Sequence, residues 1–110
     1  VELTPFFAAG SCAIIQPDLA MMGGITECLR VAQLAEHYGM TVSPHFLPTL
    51  FVHLAAASPA VRWLEDFPLL EPLFVDLPEM GADGMMSIDE SVPGHGMRWA
   101  PGARDEYRVD

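Results

Sequence analysis

The chain has 110 residues, of which 51% are hydrophobic, and its 15 acidic and 5 basic residues give a formal net charge of -10. A chain of this length and composition suits one domain with an apolar core, and its negative charge would repel phosphate backbones and anionic lipid surfaces, so neither nucleic acid nor a membrane is an expected partner. All five basic residues are arginines, which excludes a lysine base, a Schiff base and a P-loop lysine within this chain.

The two cysteines indicate a reducing compartment. Cys12 and Cys28 lie in apolar segments without CxxC spacing, a pattern that favours free thiols over a disulfide scaffold or a zinc site. No apolar run reaches the roughly 18 to 20 residues that span a bilayer, and the first residues lack a signal-peptide pattern. We therefore expect a cytoplasmic protein. The chain opens inside a helical pattern, so we also expect that its N-terminal end was cut from something longer.

The first helix, strand and second helix are predicted within the first forty residues. Residues 3–9 read as the end of a helix closed by Gly10. The short apolar run at 12–18 predicts a strand that is buried on both faces. Residues 25–38 then carry apolar side chains at steps of three and four, which predicts an amphipathic helix ended by Gly39. The predicted apolar face consists of Ile25, Cys28, Leu29, Ala32, Ala35 and Tyr38.

The pattern repeats up to residue 66 and then changes. Residues 40–45 predict a second strand, residues 47–57 a more apolar helix, and residues 62–65 a third, very short strand. This alternation is typical of right-handed βα units on a parallel sheet, which we place in residues 1–66. In residues 67–110 prolines separate short apolar pieces, and this region is interpreted as an irregular tail that packs over the sheet or on another domain.

Two details are predicted within this tail. The sequence ADGMMSIDES indicates a turn followed by a single strand. The terminal RDEYRVD is interpreted as a solvated end.

Three polar residues occupy the ends of the three predicted strands. They are Asp18, His45 and Glu65, and the loops beyond the C-terminal ends of parallel strands are where α/β proteins build their sites. Neighbouring strands lie about 4.8 Å apart, so Asp18 could orient the His45 imidazole as a general base. Glu65, in an apolar neighbourhood after Trp63, could remain protonated and donate a hydrogen bond to an anionic substrate.

Each of these residues also has a plain structural interpretation. Asp18 could cap the following turn, His45 could be a packed histidine, and Glu65 could begin a solvated loop. The conjunction of the three in consecutive βα units favours the functional interpretation. Of the other histidines, His37 and His53 are interpreted as structural, and His95 lies in a glycine-rich turn that could be near a site.

The residues at these positions resemble a known family. IIQPDLAMMGGITECLRVAQLAEHYGMTVSPH resembles the late barrel segment of the enolase superfamily, in its mandelate racemase and muconate lactonizing enzyme group. HFLPTLFVHLAAASPAVRWLEDFPLLEPLF is similar to the acid-sugar dehydratases of that group, especially those acting on galactarate or talarate. PGHGM is similar to the PGLG turn of the family, with His95 in place of an apolar residue.

The resemblance implies a fold and a set of partners. The fold class is α/β: the C-terminal part of a (β/α)₇β TIM-like barrel, about three βα units, with an irregular C-terminal tail. A complete barrel needs about 250 residues, so the resemblance implies a C-terminal fragment of a larger enzyme that also has an N-terminal lid domain and earlier barrel strands. A homo-oligomeric parent is expected, and the fragment alone is expected to be inactive.

The resemblance also implies a chemistry. His45 would be the base that removes or returns the proton α to a carboxylate, Asp18 its partner, and Glu65 the acid on the side of the substrate opposite the metal. The cofactor would be Mg²⁺, as at enolase-superfamily sites, with its ligands upstream and no metal ligand in this fragment. The substrate would be a small hydroxy or sugar acid. Sugar-acid (aldarate or aldonate) dehydration is favoured; racemisation or epimerisation of a 2-hydroxy acid, and a non-catalytic binding or assembly module, remain alternatives.

Overall fold

The computed structural model describes residues 2–109. Two compact units divide the chain, Val1–Asp66 and Phe67–Asp110. The elements of the first unit are α1 (Thr4–Ala8), β1 (Ile14–Ile15), α2 (Ile25–His37), β2 (Thr41–Val42) and α3 (Pro48–Ala57). Those of the second are a 3₁₀ helix (Pro68–Leu73), β3 (Phe74–Val75), β4 (Arg98–Trp99) and α4 (Ala103–Glu106).

The first unit is built on a parallel strand pair. β1 and β2 pair in parallel, with Ile14 opposite Thr41 and Ile15 opposite Val42, and α2 connects them in sequence. Parallel strands need such a crossover because a tight turn cannot join them. The predicted order of strand, helix, strand and helix up to residue 57, and the α/β class that follows from it, are therefore confirmed.

The prediction of a third strand at 62–65 is wrong. The pairing with β2 occurs slightly earlier, where Val42 N–H donates to Ala60 O at 2.8 Å and Arg62 N–H donates to Val42 O at 3.2 Å. Val61 thus forms a single parallel bridge with Val42. Residues 62–65 then continue without regular structure, since the ladder with β2 ends at Arg62.

The hydrophobic core of the first unit lies between its helices and the strand pair. Its fully buried members are Cys28, Val31, Ala32, Ala35, Val42 and Phe51. On α2 the buried face is centred on Val31. The predicted face extends too far along the chain, because Ile25 at its start and Tyr38 at its end are 49% and 43% exposed. Helix ends reach past the core, so periodicity alone overstates their burial.

The prediction of a first strand buried on both faces is also corrected. Ile15 lies in the core, but Ile14 is 52% exposed. Successive side chains of a strand point to opposite faces, and the core of this unit covers one of them. Regular pairing is limited to Ile14–Ile15, with a further bridge at Asp18.

The helix ends of the first unit agree with their sequence signals. Gly39, after α2, has φ 67°, the left-handed conformation that glycine adopts without steric cost at a helix end. α3 begins at Pro48, where proline is favoured because the first helical N–H has no partner in the helix. It ends before the Ser58–Pro59 pair, as predicted.

The second unit contains more regular structure than the sequence predicted. β3 and β4 form an antiparallel pair, with Phe74 opposite Trp99 and their ring centroids 4.9 Å apart. The predicted strand within 82–91 is reduced to one antiparallel bridge, between Met80 and Met86, around the predicted turn. Residues 104–109 are exposed, as expected for the terminal segment, but the first of them belong to a short helix, Ala103–Glu106.

Candidate active site at the strand ends

Two of the predicted site residues lie side by side at the ends of adjacent strands. Asp18 and His45 form a parallel backbone bridge beyond β1 and β2. The backbone N–H of His45 donates to the Pro17 carbonyl oxygen at 2.9 Å. Pro44, directly before the histidine, is fully buried. The backbone of His45 is thus held by the adjacent strand end and by the buried proline that precedes it.

The third predicted residue, Glu65, contacts the His45 imidazole. Its Oε2 lies 2.7 Å from His45 Nδ1 and also accepts a hydrogen bond from the Phe46 N–H at 2.7 Å. The side chains of His45 and Glu65 are 43% and 29% exposed. The pair is therefore partly buried and partly accessible to a solute.

The Asp18 carboxylate is engaged in its own turn. Asp18 Oδ1 accepts from the Met21 N–H at 2.9 Å, and the Asp18 carbonyl accepts from the Met22 N–H at 3.0 Å. An aspartate that binds the backbone a few residues ahead stabilises the turn that follows it. The cap interpretation of Asp18 thus has direct support, whereas its role as the orienting partner of His45 remains a prediction.

The arrangement is suited to moving a proton. A carboxylate at Nδ1 favours the tautomer with hydrogen on that nitrogen, which makes Nε2 the acceptor in the neutral imidazole. Glu65 Oε2 is an acceptor from Phe46, so a hydrogen bond donated by Glu65 to a substrate would have to come from Oε1. Its predicted role as a donor remains a prediction.

Sequence reasoning identified these three residues and proposed Asp18 as the partner of the imidazole, but it did not predict that Glu65 contacts His45 Nδ1. It also missed the Phe46 N–H. Phe46 has φ 66°, and the usual signal for such a backbone is glycine, asparagine or aspartate. No residue type near position 46 gives that signal, so the contact could not have been found from the sequence.

Residues 2–109 contain no group of three or more histidine, cysteine, aspartate or glutamate side chains that could hold a metal ion. The donor set at the strand ends, one imidazole and a carboxylate already bound to it, does not meet the need of Mg²⁺ for several oxygen ligands in an octahedron. The described residues therefore do not fit a magnesium centre by themselves.

A separate titratable group lies in the core. Cys12 and Cys28 are both free thiols, and Cys28 is completely buried on α2. Burial raises the pKa of the Cys28 thiol, and the negative charges of Asp18 and Glu27 raise it further. This thiol is a packing group at neutral pH rather than a nucleophile.

The helices found in residues 2–109 are all too short or too polar to cross a bilayer.

Comparison with known proteins relates the chain to acid-sugar dehydratases. Over 76 residues it is 41% identical to the L-talarate/galactarate dehydratase of Salmonella typhimurium, a match that covers 69% of this chain and 19% of that protein. Over 44 residues it is 57% identical to the D-galactonate dehydratase of Ralstonia nicotianae, covering 40% and 12% respectively.

A solved structure extends the likeness to nearly the whole chain. It is the L-talarate dehydratase of Polaromonas sp. JS666 complexed with Mg and L-glucarate, which superposes with a TM-score of 0.87 at 38% identity over 98% of this chain and 30% of that one. The chain thus spans less than a third of the length of these relatives. The family model described as enolase C-terminal domain-like matches residues 1–103. The chain therefore belongs to the enolase C-terminal domain-like family.

Proposed function

We propose that the chain forms the C-terminal barrel segment of a Mg²⁺-dependent dehydratase, in which His45 removes the proton α to the carboxylate of a sugar acid. The observation that carries this proposal is the 2.7 Å contact of His45 Nδ1 with Glu65 Oε2 at the C-terminal end of a parallel strand pair. The named relatives that are dehydratases of galactarate, talarate or galactonate support an aldarate or aldonate as the substrate class.

In this proposal His45 acts as a general base. With the Nδ1 hydrogen directed at Glu65, the lone pair of Nε2 takes the α-proton, and the bond electrons form the C=C bond of an enediolate. Loss of the β-hydroxyl as water then gives an enol, which becomes a 2-keto acid on protonation at the carbon that lost the hydroxyl. The proton taken by His45 is returned either to the departing hydroxide or to solvent, so the reaction needs no oxidant or reductant.

Mg²⁺ is part of the proposal for the complete enzyme, since structures of the family relatives contain it. Its ligands would lie outside residues 2–109, because the described residues do not gather a suitable oxygen set. What this segment contributes is therefore the base and the groups that orient it. In the same proposal Asp18 supports His45 through the adjacent strand end, and Glu65 both contacts His45 and faces the substrate.

The finer architecture is proposed on the same grounds. The segment would supply about the last three βα units of a (β/α)₇β barrel, with the earlier strands and an N-terminal lid domain as its partners within a longer, homo-oligomeric protein. The share of the solved relative that the chain covers, 30%, supports a longer parent protein. A cytoplasmic location agrees with the free thiols of Cys12 and Cys28.

The proposal is tested on the complete protein that carries this segment, with MgCl₂ present. Candidate aldarates and aldonates are incubated in D₂O, and both 2-keto product and deuterium at the α-carbon of remaining substrate are measured. We expect a dehydrated product from the wild type and a fall in turnover of about 10²- to 10⁴-fold in His45→Asn. His37→Asn, an exposed histidine at the end of α2, is the matched control and should retain wild-type turnover.

Three results would change the assignment. If His45→Asn exchanged the α-proton at the wild-type rate, His45 would not be the base. If α-exchange were accompanied by inversion without loss of water, the enzyme would be a racemase or epimerase on the same scaffold. If no acid of either class were exchanged or consumed by the wild type, the catalytic proposal as a whole would fail.

A further inference from the structure

A two-residue connection links the candidate base to the next helix. The N–H of His45 is bonded to Pro17 O in the adjacent strand end, and α3 begins at Pro48. Only Phe46 and Leu47 lie between these fixed points, so their backbone angles decide where the chain turns and where the Phe46 N–H is directed.

Both residues of this connection have left-handed backbones. Phe46 has φ 66°, and Leu47 has φ 46° and ψ 54°. Two successive positive φ values are typical of type I′ turns, where glycine, asparagine and aspartate predominate because other side chains crowd the backbone. Phenylalanine and leucine are therefore unfavourable residue types here. The surroundings must hold this conformation, since local preference does not produce it.

Part of the cause is visible in the neighbouring residues. Leu47 precedes Pro48, which disfavours the right-handed helical conformation for the residue before it, and the Leu47 side chain packs against the core. Pro48 thus makes one alternative conformation of Leu47 unfavourable, and neither constraint acts on Phe46. The Phe46 ring lies 6.1 Å from the His45 ring, centroid to centroid.

The Phe46 backbone has one clear consequence at the site. Its N–H donates to Glu65 Oε2 at 2.7 Å, and the same oxygen lies 2.7 Å from His45 Nδ1. Glu65 comes three residues after Arg62, where the ladder with β2 ends, and residues 62–65 adopt no strand. Its carboxylate is thus held at the imidazole by these side-chain contacts and not by the strand pairing.

We propose that Phe46 is a positioning residue whose left-handed backbone aims its N–H at Glu65 and so holds that carboxylate against Nδ1 of His45. The kinetic consequence rests on the proposed role of His45 as the base. The structural consequence does not, because it concerns only which nitrogen of His45 carries the hydrogen.

The test compares two substitutions that both remove the ring. Asparagine tolerates the left-handed backbone, whereas β-branched valine of similar size strongly disfavours it. Phe46→Asn and Phe46→Val are made in the complete protein labelled with ¹⁵N-histidine, and the His45 signals are assigned by their loss in His45→Gln. The ¹⁵N shifts of the neutral imidazole report the ratio of the Nδ1–H and Nε2–H tautomers, and kcat and KM are measured alongside.

We expect the Nδ1–H tautomer to predominate in the wild type and in Phe46→Asn. In Phe46→Val the Nε2–H form should increase several-fold, and kcat should fall about 10- to 100-fold, because the imidazole loses the carboxylate that orients it. If both variants shift the tautomer ratio equally, the ring and not the backbone is responsible, and if neither shifts it, Phe46 does not position Glu65; either result shows that the proposal is wrong.

A second pair guards against misfolding. If Phe46→Val does not fold, as judged by its thermal unfolding curve, Phe46→Gly and Phe46→Ala replace the first pair, since glycine takes positive φ freely and alanine does not. Wild-type tautomer ratios in both would overturn the proposal. The expected tautomer shifts without detectable turnover in the wild type would instead overturn the proposed function and leave the role of Phe46 in place.

Discussion

His45 and Glu65 are 20 residues apart in sequence, and the structure brings Nδ1 of the first to within 2.7 Å of Oε2 of the second. The contact joins the end of the second strand to the segment after α3. It makes Glu65 the carboxylate that directly touches the candidate base, while Asp18, its neighbour by strand pairing, binds the backbone of Met21. The two carboxylates thus make different contacts, Glu65 with the imidazole and Asp18 with a backbone N–H.

Glu65→Gln tests whether this carboxylate orients the imidazole. Glutamine has nearly the same shape and can still donate a hydrogen bond to an anionic substrate, but its neutral oxygen attracts the Nδ1 hydrogen less strongly than a carboxylate does. We expect kcat of the complete enzyme to fall at least about tenfold, as when the carboxylate partner of a catalytic histidine is lost. Wild-type kcat in Glu65→Gln would instead favour a donor role toward the substrate.

The variants Asp18→Asn and Asp18→Ala distinguish the role of Asp18 in its turn from the role of its negative charge. The asparagine Oδ1 can still accept from the Met21 N–H, so the unfolding free energy should stay within about 0.5 kcal/mol of the wild type. Alanine removes the acceptor and should cost about 0.5 to 1.5 kcal/mol. Equilibrium urea unfolding measures both. A fall in kcat for Asp18→Asn at unchanged stability would support the predicted charge role beside His45; unchanged kcat would limit Asp18 to its turn.

The sequence predicted the helices of the first unit well because each has a local end signal. Gly39 closes α2, and Pro48 and the Ser58–Pro59 pair bound α3. These signals act through a few neighbouring residues, and no distant contact is needed to read them. Strand extents were overestimated, because a strand is as long as its partner allows and pairing with β2 ends at Arg62.

The sequence predicted that Asp18, His45 and Glu65 lie near one another, but it did not predict their contacts. Strand-end positions identified Asp18, His45 and Glu65, since parallel strands bring their carboxyl ends to one edge. The contact of Glu65 with the imidazole was not predictable, because the same oxygen binds the Phe46 N–H, and the residue type of Phe46 does not indicate its positive φ. Such disagreement between local preference and observed backbone is expected at functional sites.

Phe51→Ala tests the core that supports the site. Phe51 lies on α3 and is fully buried in the hydrophobic cluster, so truncation removes packed surface and leaves a cavity. We expect the unfolding free energy to fall by about 3 to 5 kcal/mol. Gln33→Ala, at an exposed position of α2, serves as the control and should change it by no more than about 0.5 kcal/mol. Similar losses in the two variants would contradict the assigned core.

The raised pKa of the buried Cys28 thiol predicts that the stability of the protein falls at alkaline pH. Burial, then the charges of Asp18 and Glu27, raise the pKa of this thiol above its ordinary value of 9.0 in the folded protein. In unfolded protein the thiol ionises near that ordinary value, so above it the unfolded state binds fewer protons than the folded state. Below about pH 9.0 the thiol is protonated in both states, and its contribution to stability is complete. As the pH rises above that value, ionisation favours the unfolded state and the free energy of unfolding falls.

The measurement is urea unfolding of the wild type and of Cys28→Ala from about pH 7 to pH 10. Loss of the thiol should lower stability by a constant amount at neutral pH, because a small cavity forms in the core. Above about pH 9.0 the wild-type curve should then fall toward the variant, by up to about 1.4 kcal/mol for each pH unit while only the unfolded thiol is ionised. Cys12→Ala, at a less buried thiol, is the control and should keep the wild-type slope. A constant difference between wild type and Cys28→Ala across this range would show that the Cys28 thiol ionises equally in both states, contrary to its burial beside two carboxylates.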